Sequence, residues 1–317
     1  MSDVITTTDL TMRFRGCDAL LGVDLSIQPG TVFALLGENG AGKTTLIRIM
    51  TGFQQPTSGN CTVCGIDPTK HPLDVRRRIG YVSDAPAMYD WMGVGEIGWF
   101  TSTFYAPPFL ERYRESIRRY ELPEDRKLKH LSKGQRAKVA LSLSLAHDPE
   151  LLILDEPTSG LDPMVRREFL ESMIDRAATG RTVFLSSHQI SEVERVADTV
   201  GILHHGRLKI CCPLSDLKDS VVELLVNVDD PMLTLPALPE PAEILSEQID
   251  GHQRRIIARH VDDAMRNVLA EQVGVISVRD RQLSLEEIFI ACTTGAAGLS
   301  TQPPITPAPQ VAGEEAA

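Results

Sequence analysis

Polar and apolar residues follow three patterns along the chain. From 4 to 27 they alternate with a period of two: VITTTDLTMRF leads through a turn at Gly16 into ALLGVDLSI, and Pro29-Gly30 marks the next turn. That pattern predicts an antiparallel hairpin region. Val32 to Leu36 and Leu151 to Leu154 are continuous apolar runs, as expected of strands covered on both faces. Ile79-Gly80-Tyr81-Val82 and Thr182 to Ser187 read as further strands. Helical periodicity marks Thr45 to Met50, RAKVALSLSLAHD up to Pro149, and QISEVERVAD. Residues 52 to 72 are turn-rich around a short strand at Gly59 to Gly65. Beyond 220, short alternating runs (VVELLVNV, RRIIAR) flank a helix-like VDDAMRNVLAEQ, and Ser284-Leu285-Glu286-Glu287 is a capping-box pattern opening a final helix. From about 296 the chain is Ala/Pro/Thr-rich without periodicity, so disorder is expected there.

Composition narrows the classes of function. With 317 residues and 42% hydrophobic content, the chain can fill one large domain and a smaller one. No stretch approaches the ~20 apolar residues of a membrane-spanning helix. The start, MSDVITTTDL, carries neither a basic nor an apolar leader region, so a cytoplasmic location is expected. A net charge of −11 argues against nucleic acid as a partner. Six cysteines at scattered spacings suggest free thiols. Cys61-Thr62-Val63-Cys64 has no second ligand pair at the usual spacing, which favours strand residues over a metal or redox pair. Both tryptophans and all five tyrosines lie between 81 and 120, a concentration that fits either a docking surface or the core of a small helical subdomain.

The chemistry begins at Gly37-Glu38-Asn39-Gly40-Ala41-Gly42-Lys43-Thr44-Thr45, which fits G-x-x-x-x-G-K-[ST] between a strand and a helix. Glycines let successive backbone N–H groups converge with a helix N-terminus on phosphate oxygens. Lys43 supplies charge to the β/γ-phosphates, and the Thr44 hydroxyl is placed for Mg²⁺. With both flanks present, the stretch reads as a nucleoside triphosphate site and not as an incidental turn. Phe14, upstream, is either a ring for stacking on a base or a core residue. Ser132 of His130-Leu131-Ser132-Lys133-Gly134-Gln135 is a good N-cap, so a second helix N-terminus is presented there. The run ending in Asp155-Glu156 places two carboxylates at the C-terminal edge of a buried strand: Asp155 suits Mg²⁺, and Glu156 suits orienting or deprotonating an attacking water. His188 emerges at the same sheet edge, which favours a functional role over a solvated loop histidine.

The order of P-loop, LSKGQ, LLILDE, SGLD and SSH, between about 4 and 215, resembles the ATP-binding subunit of an ABC transporter. The stretch from YDWM to LSKGQ and the closing LEEIF are similar to drug- and polysaccharide-exporter cassettes. The resemblance implies an α/β P-loop NTPase cassette at 1–219, with a mixed sheet, an N-terminal antiparallel β region and a helical subdomain at about 85–148. A small α+β accessory region at 220–295 and a disordered tail at 296–317 would follow. It also implies ATP and Mg²⁺. Gly37, Asn39, Gly40, Gly42, Lys43, Thr44 and Thr45 would hold the triphosphate, Phe14 would stack on adenine, and Thr44 and Asp155 would serve the metal. Glu156 would be the base and His188 the γ-phosphate sensor. Ser132, Gly134 and Gln135 would contact ATP bound to a second ATP-binding subunit, identical or not, with Asp162 at the seam. A transmembrane permease would hold the dimer at the inner face of the membrane. Two positions depart from the commonest pattern: Lys133 replaces a Gly, and Asp84 stands where Gln is usual, an anionic candidate for the metal. The rival class, a soluble cassette ATPase acting on a ribosome or nucleic acid, would show two cassettes, a coiled-coil insertion or a basic surface. A regulator without hydrolysis would not need Glu156 and His188.

Overall fold

The computed structural model describes residues 3–294. Two compact units emerge among them: residues 3–222 together with Arg281–Phe289, and Glu223–Asp280 together with residues 290–294. The expected 219/220 boundary falls close to this division, whereas 281–289, expected in the appendage, group with the cassette. The Ala/Pro/Thr-rich stretch expected to be disordered lies outside the described residues.

In the first unit, the predicted hairpin forms as β1 (Ile5–Phe14) and β2 (Cys17–Ile27), followed by β3 (Val32–Leu36) and α1 (Lys43–Met50). Next come β4 (Ser58–Val63), α2 (Pro72–Arg78), β5 (Ile79–Val82), α3 (Val94–Ser102), α4 (Phe109–Arg119) and α5 (Lys133–Leu145). The chain continues through β6 (Leu151–Asp155), α6 (Pro163–Ala178), β7 (Thr182–Ser187), α7 (Ile190–Val196), β8 (Thr199–His204), β9 (Arg207–Pro213) and α8 (Leu214–Ser220). A three-stranded sheet has the order β2-β1-β4, and a six-stranded sheet has the order β5-β6-β7-β3-β8-β9. The neighbours from β5 to β8 are parallel, and β9 is antiparallel to β8.

Period-two alternation decides what each face of the large sheet covers. Phe33, Leu35, Leu151, Ile153 and Phe184 pack with Leu46, Ile47, Ile49 and Met50 of α1 and with Ile5, Leu10, Leu20 and Val23 of the small sheet. Their neighbours Val32, Leu152, Leu154, Val183 and Leu185 pack on the opposite side with α5, α6 and α7. Helix α1 therefore lies between two apolar layers, which fixes the loop before it. A third core joins α3, α4 and α5 through Val94, Ile97, Phe109, Tyr113, Ile117 and Val139. Phe109, Tyr113 and Ile117 are spaced four apart on one face of α4, the other face being charged.

The aromatic stretch is partly core and partly exposed. Tyr113 is fully buried and its hydroxyl donates to the Val94 carbonyl at 2.7 Å. Trp91, Trp99, Tyr89 and Phe104 are each more than half exposed.

The second unit is built on a four-stranded sheet of order β11-β12-β10-β13: β10 (Val221–Val228), β11 (Glu243–Asp250), β12 (Gln253–Arg259) and β13 (Val275–Gln282). Helix α9 (Asp263–Ala270) precedes β13. Helix α10 (Leu285–Thr294) begins in the segment grouped with the first unit, with the Ser284 hydroxyl accepting from the Glu287 N–H at 3.3 Å as the capping box requires. The Asp262 carboxylate caps α9 by accepting from the Met265 N–H at 2.8 Å.

Cys61 lies on β4, and Cys64 follows it in the left-handed region at φ 49°. Burial pushes both thiols up to about 12, with Asp67 adding to the effect at Cys61 and Glu150 at Cys64. Among the described residues no cluster of metal-ligating side chains forms. These are core thiols. Since the thiolate is the reactive form, iodoacetamide at pH 8 should leave Cys61 and Cys64 unlabelled in the folded protein and label both after unfolding, read by peptide mass spectrometry.

Gly98 of α3 faces Tyr113, and a Cβ there would lie 2.0 Å from the ring. Alanine gains about 1 kcal/mol of helix propensity but forces an overpacked core, which costs about 1–3 kcal/mol. The immobile ring makes overpacking win, so Gly98→Ala should lower the urea midpoint.

Candidate active site

The loop between β3 and α1 folds as a phosphate cradle because its glycines sit where nothing larger fits. Gly42 has φ 111°, and a Cβ on it would lie 2.4 Å from the Ala19 carbonyl oxygen. A Cβ on Gly37 would lie 2.6 Å from the Leu203 carbonyl oxygen. Behind the loop, the turn between β8 and β9 props it: the Gly206 N–H donates to the Ala41 carbonyl at 3.0 Å, and the Leu21 N–H donates to the Gly206 carbonyl at 2.8 Å. Backbone N–H groups at the α1 start thus face a cavity of about 290 Å³, lined by Phe14, Asn39, Gly40, Gly42, Lys43, Thr44, Thr45 and Glu156. Phe14 is 44% exposed, which rules out the core alternative. Glu38 of the motif lines the same cavity, as do Cys17 and Ala19, which carried no sequence signal.

Lys43 is 6% exposed. Its ammonium donates to the Gly37 carbonyl at 2.6 Å and the Glu38 carbonyl at 3.3 Å, and Glu156 Oε1 lies at 3.2 Å. The other carboxylate oxygen of Glu156 accepts from His188 Nδ1 at 2.7 Å and from the His188 backbone N–H at 3.3 Å. Lys43, Glu156 and His188 form a continuous polar chain from the cradle to the end of β7. Glu156 holds φ 50°, a conformation costing a non-glycine residue about 1–3 kcal/mol, as residues at functional sites often do. Asp155, 4% exposed, accepts from the Ser186 hydroxyl at 2.7 Å across the β6–β7 pair.

The signature-loop residues stand elsewhere. Ser132 caps α5: its hydroxyl accepts from the Gln135 N–H at 3.2 Å, and the Gln135 carboxamide oxygen accepts from the Ser132 N–H at 3.1 Å. A Cβ on Gly134 would press on Val165 at 3.3 Å. Asp162 caps α6, accepting from the Met164 and Val165 N–H groups at 3.1 and 3.0 Å. None of these four lines the P-loop cavity.

Nor does Asp84, the anionic candidate for the metal. It lines a separate cavity of about 250 Å³ with Lys133, Arg136, Pro157 and Leu161. The sheet order explains the separation: β5, which delivers Asp84, is three strands from β3, roughly 14 Å at the usual strand spacing. An aspartate side chain does not span that. The longer Glu156 starts one strand nearer and reaches Lys43.

Sequence reading missed Glu192 and Arg166. Glu192, 3% exposed, accepts from the Thr158 hydroxyl at 2.6 Å and pairs with Arg166 Nε at 3.2 Å. The available signal was the pair Ser186-Ser187 ending an otherwise apolar strand, since buried hydroxyls require partners.

Among the described residues no helix is long and apolar enough to cross a membrane. The ABC transporter family pattern matches residues 20–159. The bacitracin transport ATP-binding protein of Bacillus licheniformis is 35% identical over 222 residues, 69% of this chain and 72% of that protein. The daunorubicin/doxorubicin resistance ATP-binding protein of Streptomyces peucetius is 31% identical over 307 residues, 91% of this chain and 92% of that protein. A solved structure of an ABC transporter ATP-binding subunit superposes with a TM-score of 0.64 at 30% identity, covering 68% of this chain and 92% of its own. By these matches the chain belongs to the ATP-binding subunits of ABC transporters, which are ATPases.

Proposed function

We propose that this chain energises a membrane exporter, working beside a transmembrane permease and a second ATP-binding subunit of the same or a different sequence, at the inner face of the membrane. One observation carries the dimeric part. The cradle with Lys43, Glu156 and His188 forms one half of a triphosphate site, while Ser132, Gly134 and Gln135 present a helix N-terminus outside that cavity. A second subunit would bring its own α5 start to the γ-phosphate, so each ATP would be clamped by helix N-termini from two chains. Asp162, at the start of α6, would lie at the seam.

The backbone of the cradle and Lys43 bind the β- and γ-phosphates, and Phe14 stacks on the base. Lys43 must then exchange Glu156 for phosphate. Glu156, still held by His188, accepts a proton from water as the water oxygen bonds to the γ-phosphorus and the β–γ bridging oxygen leaves with ADP. Thr44 and Asp155 fit Mg²⁺, which usually takes one or two protein oxygens beside phosphates: Asp155 is a buried carboxylate with Ser186 orienting one oxygen, and Thr44 faces the cavity. The ion would neutralise developing phosphate charge. Loss of the γ-phosphate removes the bridge between subunits, so ATP closes the dimer and hydrolysis reopens it.

Export is favoured by the relatives named for bacitracin transport and daunorubicin/doxorubicin resistance. A role on ribosomes or nucleic acid is disfavoured by the net charge of −11.

Glu156→Gln removes the ion pair that competes for Lys43. It should bind ATP at least as tightly as wild type while hydrolysis falls by on the order of 10²–10⁴. With ATP and Mg²⁺ it should elute as a dimer in size exclusion; a monomer would refute a sandwich made by this chain alone.

Exposed Trp91 and Trp99 supply apolar area for the permease. Trp91→Ala and Trp99→Ala should reduce co-purification of a polytopic membrane subunit from native membranes at unchanged thermal midpoint. A drop in midpoint without the partner would assign the rings to folding.

A further inference from the structure

Glu192 is a buried carboxylate that the proposed hydrolysis does not use. An acid in the first turn of a helix is ordinary on a solvated face, but Glu192 is 3% exposed. A carboxylate that deep needs a counter-charge and donors: two hydroxyls donate to one of its oxygens, and the other faces a guanidinium as an ion pair without a hydrogen bond. Its partners come from three separate segments. Thr158, two residues past Glu156, donates its hydroxyl at 2.6 Å. Ser187, the residue before His188, donates at 3.4 Å. Arg166 of α6 pairs through Nε at 3.2 Å.

Arg166 extends the same linkage. Its Nη1 donates to Gln189 Oε1 at 2.8 Å and its Nη2 to the Leu161 carbonyl at 3.3 Å. Gln189 follows His188, and Leu161 precedes Asp162. The Gln189 N–H in turn donates to the Ser187 hydroxyl at 3.0 Å. One ion pair therefore holds the chain on both sides of His188, the loop leaving Glu156, and the approach to Asp162.

We propose that Glu192, acting with Arg166, is a positioning residue for hydrolysis: it sets the 2.7 Å contact between His188 and Glu156 and ties that contact to the loop carrying Asp162. This rests on the reading of Glu156 and His188 as the reacting pair. Without the carboxylate, β7's end and the 157–162 loop lose their common anchor, and the Glu156–His188 geometry drifts. The cradle does not touch Glu192, so nucleotide affinity is insulated from the change.

The test compares turnover and ATP dissociation constant for wild type, Glu192→Gln, His188→Ala and the double variant, with thermal midpoints as a check on folding. Glu192→Gln should lower kcat by about 10- to 100-fold, the scale of a misplacement near 1 Å, with Kd for ATP within about twofold of wild type. Since it acts through His188, the double variant should be no slower than His188→Ala alone. Thr158→Val, which deletes one hydroxyl and keeps the bulk, should show a smaller kcat loss at unchanged Kd and carries the test if Glu192→Gln does not fold. Turnover within about threefold of wild type in both variants, or losses that multiply in the double variant, would overturn the proposal. If His188→Ala and Glu156→Gln themselves turn over like wild type, the reacting-pair assignment falls, and Glu192 with it. If those two are slow and Glu192→Gln is not, Glu192 alone is refuted.

Discussion

A buried ammonium is the constraint on which the site is built. Lys43 is 6% exposed, and a charge at that depth is tolerable only when surrounded by acceptors. The fold supplies two carbonyls of its own loop and one oxygen of Glu156. Those acceptors stay available only while α1 is clamped between the two sheets and the loop is held at Ala41 by the β8–β9 turn. The apolar layers and the polar site are thus one requirement: the cores hold a mostly buried ammonium at the edge of the cavity, and in the proposed function an incoming triphosphate would replace Glu156 as its counterion.

The same constraint ties Glu156 to both neighbours. One carboxylate oxygen lies beside the Lys43 ammonium and the other accepts from His188. In the hydrolysis proposed above, a triphosphate would take over the first contact and leave Glu156 with the second. Glu156 makes both contacts from a left-handed backbone, φ 50°.

What the sequence made legible was whatever depends on local pattern. The hairpin, the P-loop strand and helix, and the runs ending in Glu156 and His188 all appear where alternation and apolar runs place them. Strand β4 pairing with β1 was not legible, because a short turn-rich segment does not name its distant partner. The residues of the P-loop cavity followed from motif spacing, but Cys17 and Ala19 enter it only through the β1–β2 hairpin's position. Glu192 was invisible for a related reason: its meaning lies in contacts to Thr158, Ser187 and Arg166, which only the folded chain brings together. The grouping of 281–289 with the cassette is likewise a long-range fact.

The two departures from the commonest cassette pattern, Asp84 and Lys133, were unrelated on the sequence, yet they line one cavity with Arg136. Arg136 is already committed to Asp90 at 2.6 Å. That leaves one carboxylate and one ammonium facing a common space between the end of β5, the start of α5 and the loop after β6. A glutamine beside a glycine would leave that space uncharged. An aspartate alone would place a negative charge near the α5 N-terminus, and a lysine alone would add positive charge to it; together the two changes largely cancel at long range. The Lys133 ammonium lies against the Gly160 backbone, where an added Cβ would come within 2.8 Å. The cation thus rests on the loop that runs to Asp162 and not on a carboxylate. In the proposed dimer, a phosphate arriving at the α5 start would meet a lysine that makes no ion pair among the described residues, in contrast to the cradle, where Lys43 already pairs with Glu156.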